Sequence, residues 1–219
     1  MNTLLLRLSG VMQSWGVQSR FSVRDTGLEP SKSGGLGLVC AALGIPRADD
    51  EALARLAMLR MGTCVDREGR LKVDYHTAMD VLKAGGGLKK TEPSNRYYLA
   101  DALFLVGLAG EDASQLQDIH TALRRPVWPL FLGRKAFVPG ETVWLSDGLM
   151  IGVDLLPALE TYPYLGRSPA PDRLRLVYED QRGFIVRTDQ PLSFLTRRFA
   201  PRRMTMTFVP VPQLGLEAT

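Results

Sequence analysis

The chain has 219 residues, 45% of them hydrophobic and 23% charged, with a net charge of +4. Enough apolar material is present for a core, so a globular protein is expected, either one large domain or a domain with an appendage. No apolar run approaches the roughly 20 residues of a membrane span, and residues 1–8 lack a signal peptide's long apolar core, so the expected location is the cytoplasm.

Residues 3–9 alternate Leu4, Leu6 and Leu8 with Leu5 and Arg7, which predicts a central strand. A polar, glycine-punctuated stretch follows, carrying Gln13, Ser14, Trp15, Arg20, Arg24 and Lys32. It runs through Pro30-Ser31-Lys32-Ser33-Gly34-Gly35 into Leu36, Val39, Cys40 and Leu43, the spacing of one buried helical face, with Gly44 and Pro46 closing the helix. Ser31 or Ser33 is suited to capping that helix. A second short helix is predicted over 50–58 with Leu53, Leu56 and Ala57 inward; Asp49, Asp50 and Glu51 then form an acidic helix start. Strands over 59–67 and 71–75 flank Glu68-Gly69-Arg70, which reads as a hairpin turn. Residues 84–95, with three consecutive glycines, Lys89, Lys90 and Pro93, read as a mobile basic loop. Period two returns over 97–109, with Ala102, Phe104, Val106 and Leu108 on one face of another core strand. A helix over 111–124 turns Leu116, Ile119 and Leu123 inward and stops at Pro126. Beyond it, a short helix over 154–161 and strands over 173–179, 184–188 and 204–209 are expected, as a small second sheet or an extension of the first.

The order strand, helix, two strands around an insertion, helix fits an α+β, ferredoxin-like (RRM-like) βαββαβ plan. Residues 1–145 form the expected RNA-binding domain and 146–219 a smaller β-rich part packed on it. Cys40 and Cys64 show no paired ligand spacing and are expected to be buried, reduced thiols.

Charge is unevenly spread. Between Arg182 and Arg203 lie six arginines, including Arg187, Arg197, Arg198 and Arg202, against one acid, Asp189. Residues 119–140 carry Arg124, Arg125, Arg134 and Lys135 with no acid. Such one-signed patches favour a polyanion over a plain solvated face, which usually mixes signs. At the predicted helix start, Lys32 and the free N–H groups around Ser33 and Gly34 suit a phosphate. Neither standard phosphate loop is present: Thr26 and Ser31 stand where a Walker A loop needs glycine, and Cys40 where a dinucleotide fingerprint does. Trp15, Phe21, Tyr97 and Tyr98 offer rings for base stacking, with core packing the alternative for each. General acid–base chemistry would rest on His76 and His120, the latter on a helix's apolar side; no metal or cofactor site is read.

Three blocks together carry a resemblance: Met12-Gln13-Ser14-Trp15-Gly16 with Ser19-Arg20-Phe21; Pro30-Ser31-Lys32-Ser33-Gly34 with Ala41-Ala42-Leu43-Gly44-Ile45; and, further on, Tyr98-Leu99-Ala100-Asp101-Ala102 and Pro126-Val127-Trp128-Pro129-Leu130-Phe131-Leu132-Gly133-Arg134-Lys135. In this order they resemble the CasD family, the CRISPR-associated family numbered five in its type I-E Cascade form. The resemblance implies a non-catalytic subunit that holds the 5′ handle of crRNA and contacts the backbone subunit CasC and the large subunit CasA. It also implies a projecting thumb, which falls at about 72–95 with Lys83, Lys89 and Lys90. Expected RNA contacts are Gln13, Ser14, Trp15, Arg20, Arg24, Lys32, Ser33, Gly34, the three thumb lysines, Arg134, Lys135, Arg197, Arg198, Arg202 and Arg203. The alternative is a metal-independent endoribonuclease acting on CRISPR precursor RNA through His76 and Lys72, as the subtype I-C relatives of this family suggest.

Overall fold

The structure, a computed structural model, describes residues 1–16, 22–167 and 169–212. It is a mixed α/β protein with mostly antiparallel strand pairing. Strand β1 (Asn2–Ser9) is the hub, flanked on one side by β7 (Leu103–Gly110) and on the other by β8 (Trp144–Met150). Strand β4 (Arg60–Arg67) pairs with β7, and β9 (Arg173–Glu179), β11 (Arg198–Pro210) and β10 (Ile185–Ser193) continue outward from it. The result is one seven-stranded sheet in the order β10-β11-β9-β4-β7-β1-β8.

Alternation sorts the side chains of this sheet onto two cores. Leu4, Leu6, Leu8, Phe104, Val106 and Leu108 face α1 (Lys32–Leu43), α2 (Asp50–Ala57) and α3 (Ala113–Arg124). Leu5, Leu105 and Ala109 face the opposite side, covered by α4 (Leu155–Thr161). There Gly62 and Gly107 lie directly across β4 and β7. A Cβ on Gly62 would sit 2.7 Å from Leu159 Cδ1, and one on Gly107 2.8 Å from Leu155 Cδ1, so this pair of bare backbones makes the groove that seats α4.

Local signals placed the helices well. Ser31 caps α1 by accepting from Gly34 N at 3.2 Å, and Gly44, in the left-handed region, ends it. Asp49 and Asp112 cap α2 and α3, and Leu116, Ile119 and Leu123 are buried as expected. Cys40 and Cys64 are free and buried; burial raises their thiols to about 11 and about 12.

Four expectations are corrected. The strands around Glu68-Gly69-Arg70 do not form a hairpin: β4 pairs with β7 and β9, while β5 (Arg70–Leu82) pairs with β6 (Leu88–Ala100) in a second sheet. Residues 88–95 are therefore strand rather than loop, in register with β5 from Leu82↔Leu88 to Arg70↔Ala100. The single strand read over 97–109 is two, β6 and β7, separated at Asp101, whose φ of 58° turns the chain from one sheet into the other. Finally, weak alternation hid strand β8 altogether; of the two arrangements expected for the C-terminal strands, β9 to β11 take the extension of the first sheet. The second sheet is completed by β2 (Met12–Gln13) and β3 (Val23–Arg24), both on β6.

Candidate nucleic-acid interface

The Gln13-Ser14-Trp15 stretch is interior. Gln13 is fully buried; its Nε2 donates to Leu8 O at 3.2 Å and Ala102 O at 2.8 Å, while its Oε1 accepts from Trp15 Nε1 at 3.2 Å. Ser14 Oγ donates to Asp25 O at 3.4 Å and Tyr97 O at 3.3 Å. Trp15 is 1% exposed and lies against Gly34, where a Cβ would come within 2.8 Å of the indole. Gly34 thus serves close packing. Arg20 and Phe21 lie outside the described residues.

Lys32 is likewise enclosed, at 1% exposure. Its Nζ donates to Glu179 Oε2 at 2.9 Å, and its backbone N–H donates to Asp189 Oδ2 at 2.9 Å. Arg202, also buried, grips Asp189 through Nε at 2.6 Å and Nη2 at 3.0 Å. Burial pulls the Lys32 amine below the usual lysine range, with Glu179 opposing. Ser33 Oγ lies 3.3 Å from Ser31 Oγ at the capped helix start. In this arrangement a phosphate would have to displace Glu179 and Asp189 to reach Lys32, so the proposed anion site is an internal ionic cluster joining α1 to β9, β10 and β11. A companion cluster holds Glu29 between Arg175, at 2.6 Å, and Arg187. Burial works against that carboxylate, but Arg187 and Arg175 outweigh it and hold it below the usual range.

The exposed cations are elsewhere. The β5–β6 hairpin projects with Lys72, Lys83, Lys89 and Lys90 in solvent, Lys89 paired with Glu92. At its root, parallel pairing sets Arg24 of β3 opposite Arg96 of β6. Arg134 reaches the same place: its Nη2 donates to Tyr97 O at 2.8 Å and Arg24 O at 3.3 Å, and its guanidinium lies over Phe137. Burial, then the Arg96 charge, pulls Arg134 below its ordinary range; Arg24 adds to the crowding and Asp74 and Asp25 oppose it. Lys135 is exposed alongside. Arg198 and Arg203 are exposed on β11 and Arg197 on the turn before it, whereas of the six arginines in that run Arg187 and Arg202 are spent internally. Arg96 was missed because nothing local distinguishes it; only the β3–β6 register brings it to Arg24.

The histidines are apart. His76 is exposed on the hairpin, its Nδ1 3.9 Å from Asp74 Oδ2. His120 Nε2 lies 2.9 Å from Leu145 O, its ring against Trp144. Among the described residues no group of three or more His, Cys, Asp or Glu is arranged to hold a metal, and no helix is long and apolar enough to cross a membrane.

A packed mixed α/β body with a long exposed hairpin and a cationic root is an architecture along which an extended polyanion can lie. The chain belongs to the CRISPR-associated protein (Cas_Cas5) family, whose model matches residues 3–206. It is 32% identical to the CRISPR system Cascade subunit CasD of Escherichia coli (strain K12), over 91% of this chain and 92% of that one. Among solved structures it is similar to a Cas protein (TM-score 0.80, 44% identity, 96% of this chain and 98% of that one). It is also similar to a chain of a CRISPR RNA-guided surveillance complex (TM-score 0.77, 35% identity, 96% and 91%).

Proposed function

We propose that this chain is an RNA-binding subunit of a CRISPR surveillance complex of the Cascade type, working in the cytoplasm and holding the 5′ handle of crRNA between the CasC backbone and the CasA large subunit. The observation that carries this reading is the crowding of Arg24, Arg96 and Arg134 at the root of the exposed hairpin. Like charges held this close repel, and a phosphate backbone laid across them relieves that repulsion as it binds. The body is ferredoxin-like: β1, α1, β4, β7, α3 and β8 follow in chain order, the sheet runs β4-β7-β1-β8, and α1 and α3 share one face. Residues 1–145 supply the RNA-binding unit, whose sheet β8 completes from across that boundary, and the remainder of 146–219 is its β-rich extension. The hairpin is the thumb, presenting Lys83, Lys89 and Lys90, with Arg24, Arg134 and Lys135 at its base. Arg197, Arg198 and Arg203 form a separate cationic edge.

The subunit is non-catalytic in this reading. Lys72 and His76 stand in solvent on the hairpin strand β5, His76 3.9 Å from Asp74, with no enclosed site around them among the described residues to hold a scissile phosphate, and His120 is engaged with the main chain. The test is incubation of the protein with labelled single-stranded repeat RNA without metal, alongside a variant in which residues 79–91 are replaced by Asn-Gly. Intact RNA bound by the wild type, and more weakly by the folded short-thumb variant, supports the reading. Cleavage abolished by His76→Ala would establish the endoribonuclease instead.

A further inference from the structure

Where the two sheets part, beside the thumb root, lies an open cleft of about 650 Å³, within the size range of small-ligand sites. It is walled by the end of β1, the first residue of β5, the turn at Asp101 and the loop after α4. Three arginines, Arg67, Arg70 and Arg167, meet there. Arg67 Nε donates to Asp101 O at 2.6 Å, which fixes it to the turn. Among the described residues the guanidinium groups of Arg70 and Arg167 have no hydrogen bond or ion pair. A neighbouring hollow of about 450 Å³ shares Arg67 and Arg167 with this cleft and continues its cationic lining.

The acids of the cleft sort differently. Glu68 is gripped by Arg175 through two bonds of 2.7 and 2.9 Å, and Glu141 is paired with Arg7 at 2.5 Å. The Asp101 carboxylate alone among them has no partner among the described residues. Its backbone, at φ 58°, is held in the left-handed region by the Asp101 N–H bond to Val11 O at 3.1 Å. Such conformations cost free energy in non-glycine residues and gather at functional positions.

We propose that this cleft takes one unpaired nucleotide of a single-stranded RNA, its phosphate between Arg70 and Arg167 and the edge of its base on the Asp101 carboxylate. A carboxylate only accepts hydrogen bonds, so it selects a base edge that donates. Guanine fits best, since its imino and amino protons lie side by side and match the two oxygens. Uracil fits worst, since carbonyl oxygens flank its single imino proton and face the carboxylate. The lining of this cleft includes none of Arg24, Arg96 and Arg134, and the site would add base selectivity to a surface that otherwise reads only phosphate. The proposal rests on the reading of the chain as an RNA-binding subunit.

The experiment compares the full chain and its variants on two 5′-labelled octaribonucleotides, all-uridine and alternating uridine-guanosine, across a salt series. The wild type should prefer the guanosine RNA by about tenfold. Asp101→Gly, which accepts φ 58° without strain, should abolish the preference, and Asp101→Asn provides a second, shape-preserving variant should the glycine loosen the turn. Arg70→Ala and Arg167→Ala should each weaken both RNAs alike and lower the salt slope by about 0.7. Equal wild-type affinity for the two RNAs, a preference surviving in both Asp101 variants, or unchanged slopes in both arginine variants would overturn the site while leaving RNA binding intact. Failure of the wild type to bind either RNA would overturn the RNA-binding reading itself.

Discussion

Replacing Lys32 by methionine separates two meanings of a buried lysine. Lys32 is 1% exposed and forms one corner of a closed set of charges: Lys32 with Glu179, Asp189 with Arg202, and a weaker Arg202 contact to Glu179 at 3.8 Å. The set is neutral, two cations against two anions. Lys32→Met leaves it with a net negative charge beside the capped start of α1. Breaking a buried pair from one side costs about 3–5 kcal/mol. Glu179 is 24% exposed and keeps part of its hydration and its Arg202 neighbour, so the cost belongs at about 3 kcal/mol, the low end of that range. For a chain of this length that lowers Tm by about 6–12 °C. In Lys32→Met with Glu179→Gln the surplus charge is gone, and the double variant should be more stable than the sum of the two single losses predicts, by about 1–3 kcal/mol. Urea unfolding of all four proteins measures this. RNA affinity and salt slope of folded Lys32→Met should match the wild type. A stable Lys32→Met with its salt slope reduced by about 0.7 would refute the reasoning and make the amine a phosphate ligand.

Asp66 makes stability depend on pH. Burial pushes its carboxyl up to about 6, against bonds from Leu165 N–H and the Cys64 thiol. Raised relative to the unfolded chain, the group favours folding most below about pH 4 and progressively less as pH rises to about 6, a loss of roughly 3 kcal/mol for two units. Asp66→Asn should flatten this fall and be the more stable protein at pH 8 by about 2 kcal/mol, checked by urea midpoints at pH 4.5 and 8; a less stable variant at pH 8 would contradict it. Trp15→Ala should cost about 3–5 kcal/mol, because it empties a core site and strips Gln13 Oε1 of its partner. Its thermal transition reports this, and a near-native Tm would place the indole outside the core. Shortening the thumb across residues 79–91 should leave the Tm of the body nearly unchanged, since those side chains are largely in solvent; a large fall would show that the hairpin supports the core.

What the sequence determined by itself is what short-range chemistry decides. Ser31 and Gly44 bracket α1 because a cap needs only the three or four residues beside it, and Leu116, Ile119 and Leu123 reveal the buried face of α3 because one helical turn does. Alternation exposed β1 and β7 for the same reason, and the ordered blocks from Gln13 to Lys135 were sufficient to point to the family. Tertiary structure decided everything that depends on which strand lies beside which. Glu68-Gly69-Arg70 has the composition of a hairpin turn, yet β4 finds better partners in β7 and β9 and β5 leaves with β6. The same long-range pairing turned Lys32 and Arg202 inward onto Glu179 and Asp189, about 150 positions away from Lys32 in the chain (147 and 157), and buried Trp15. It also assembled Arg24, Arg96 and Arg134, and set Asp101 among Arg67, Arg70 and Arg167. Burial and charge neutralisation are properties of neighbours in space, and a run of residues read along the chain carries no record of them.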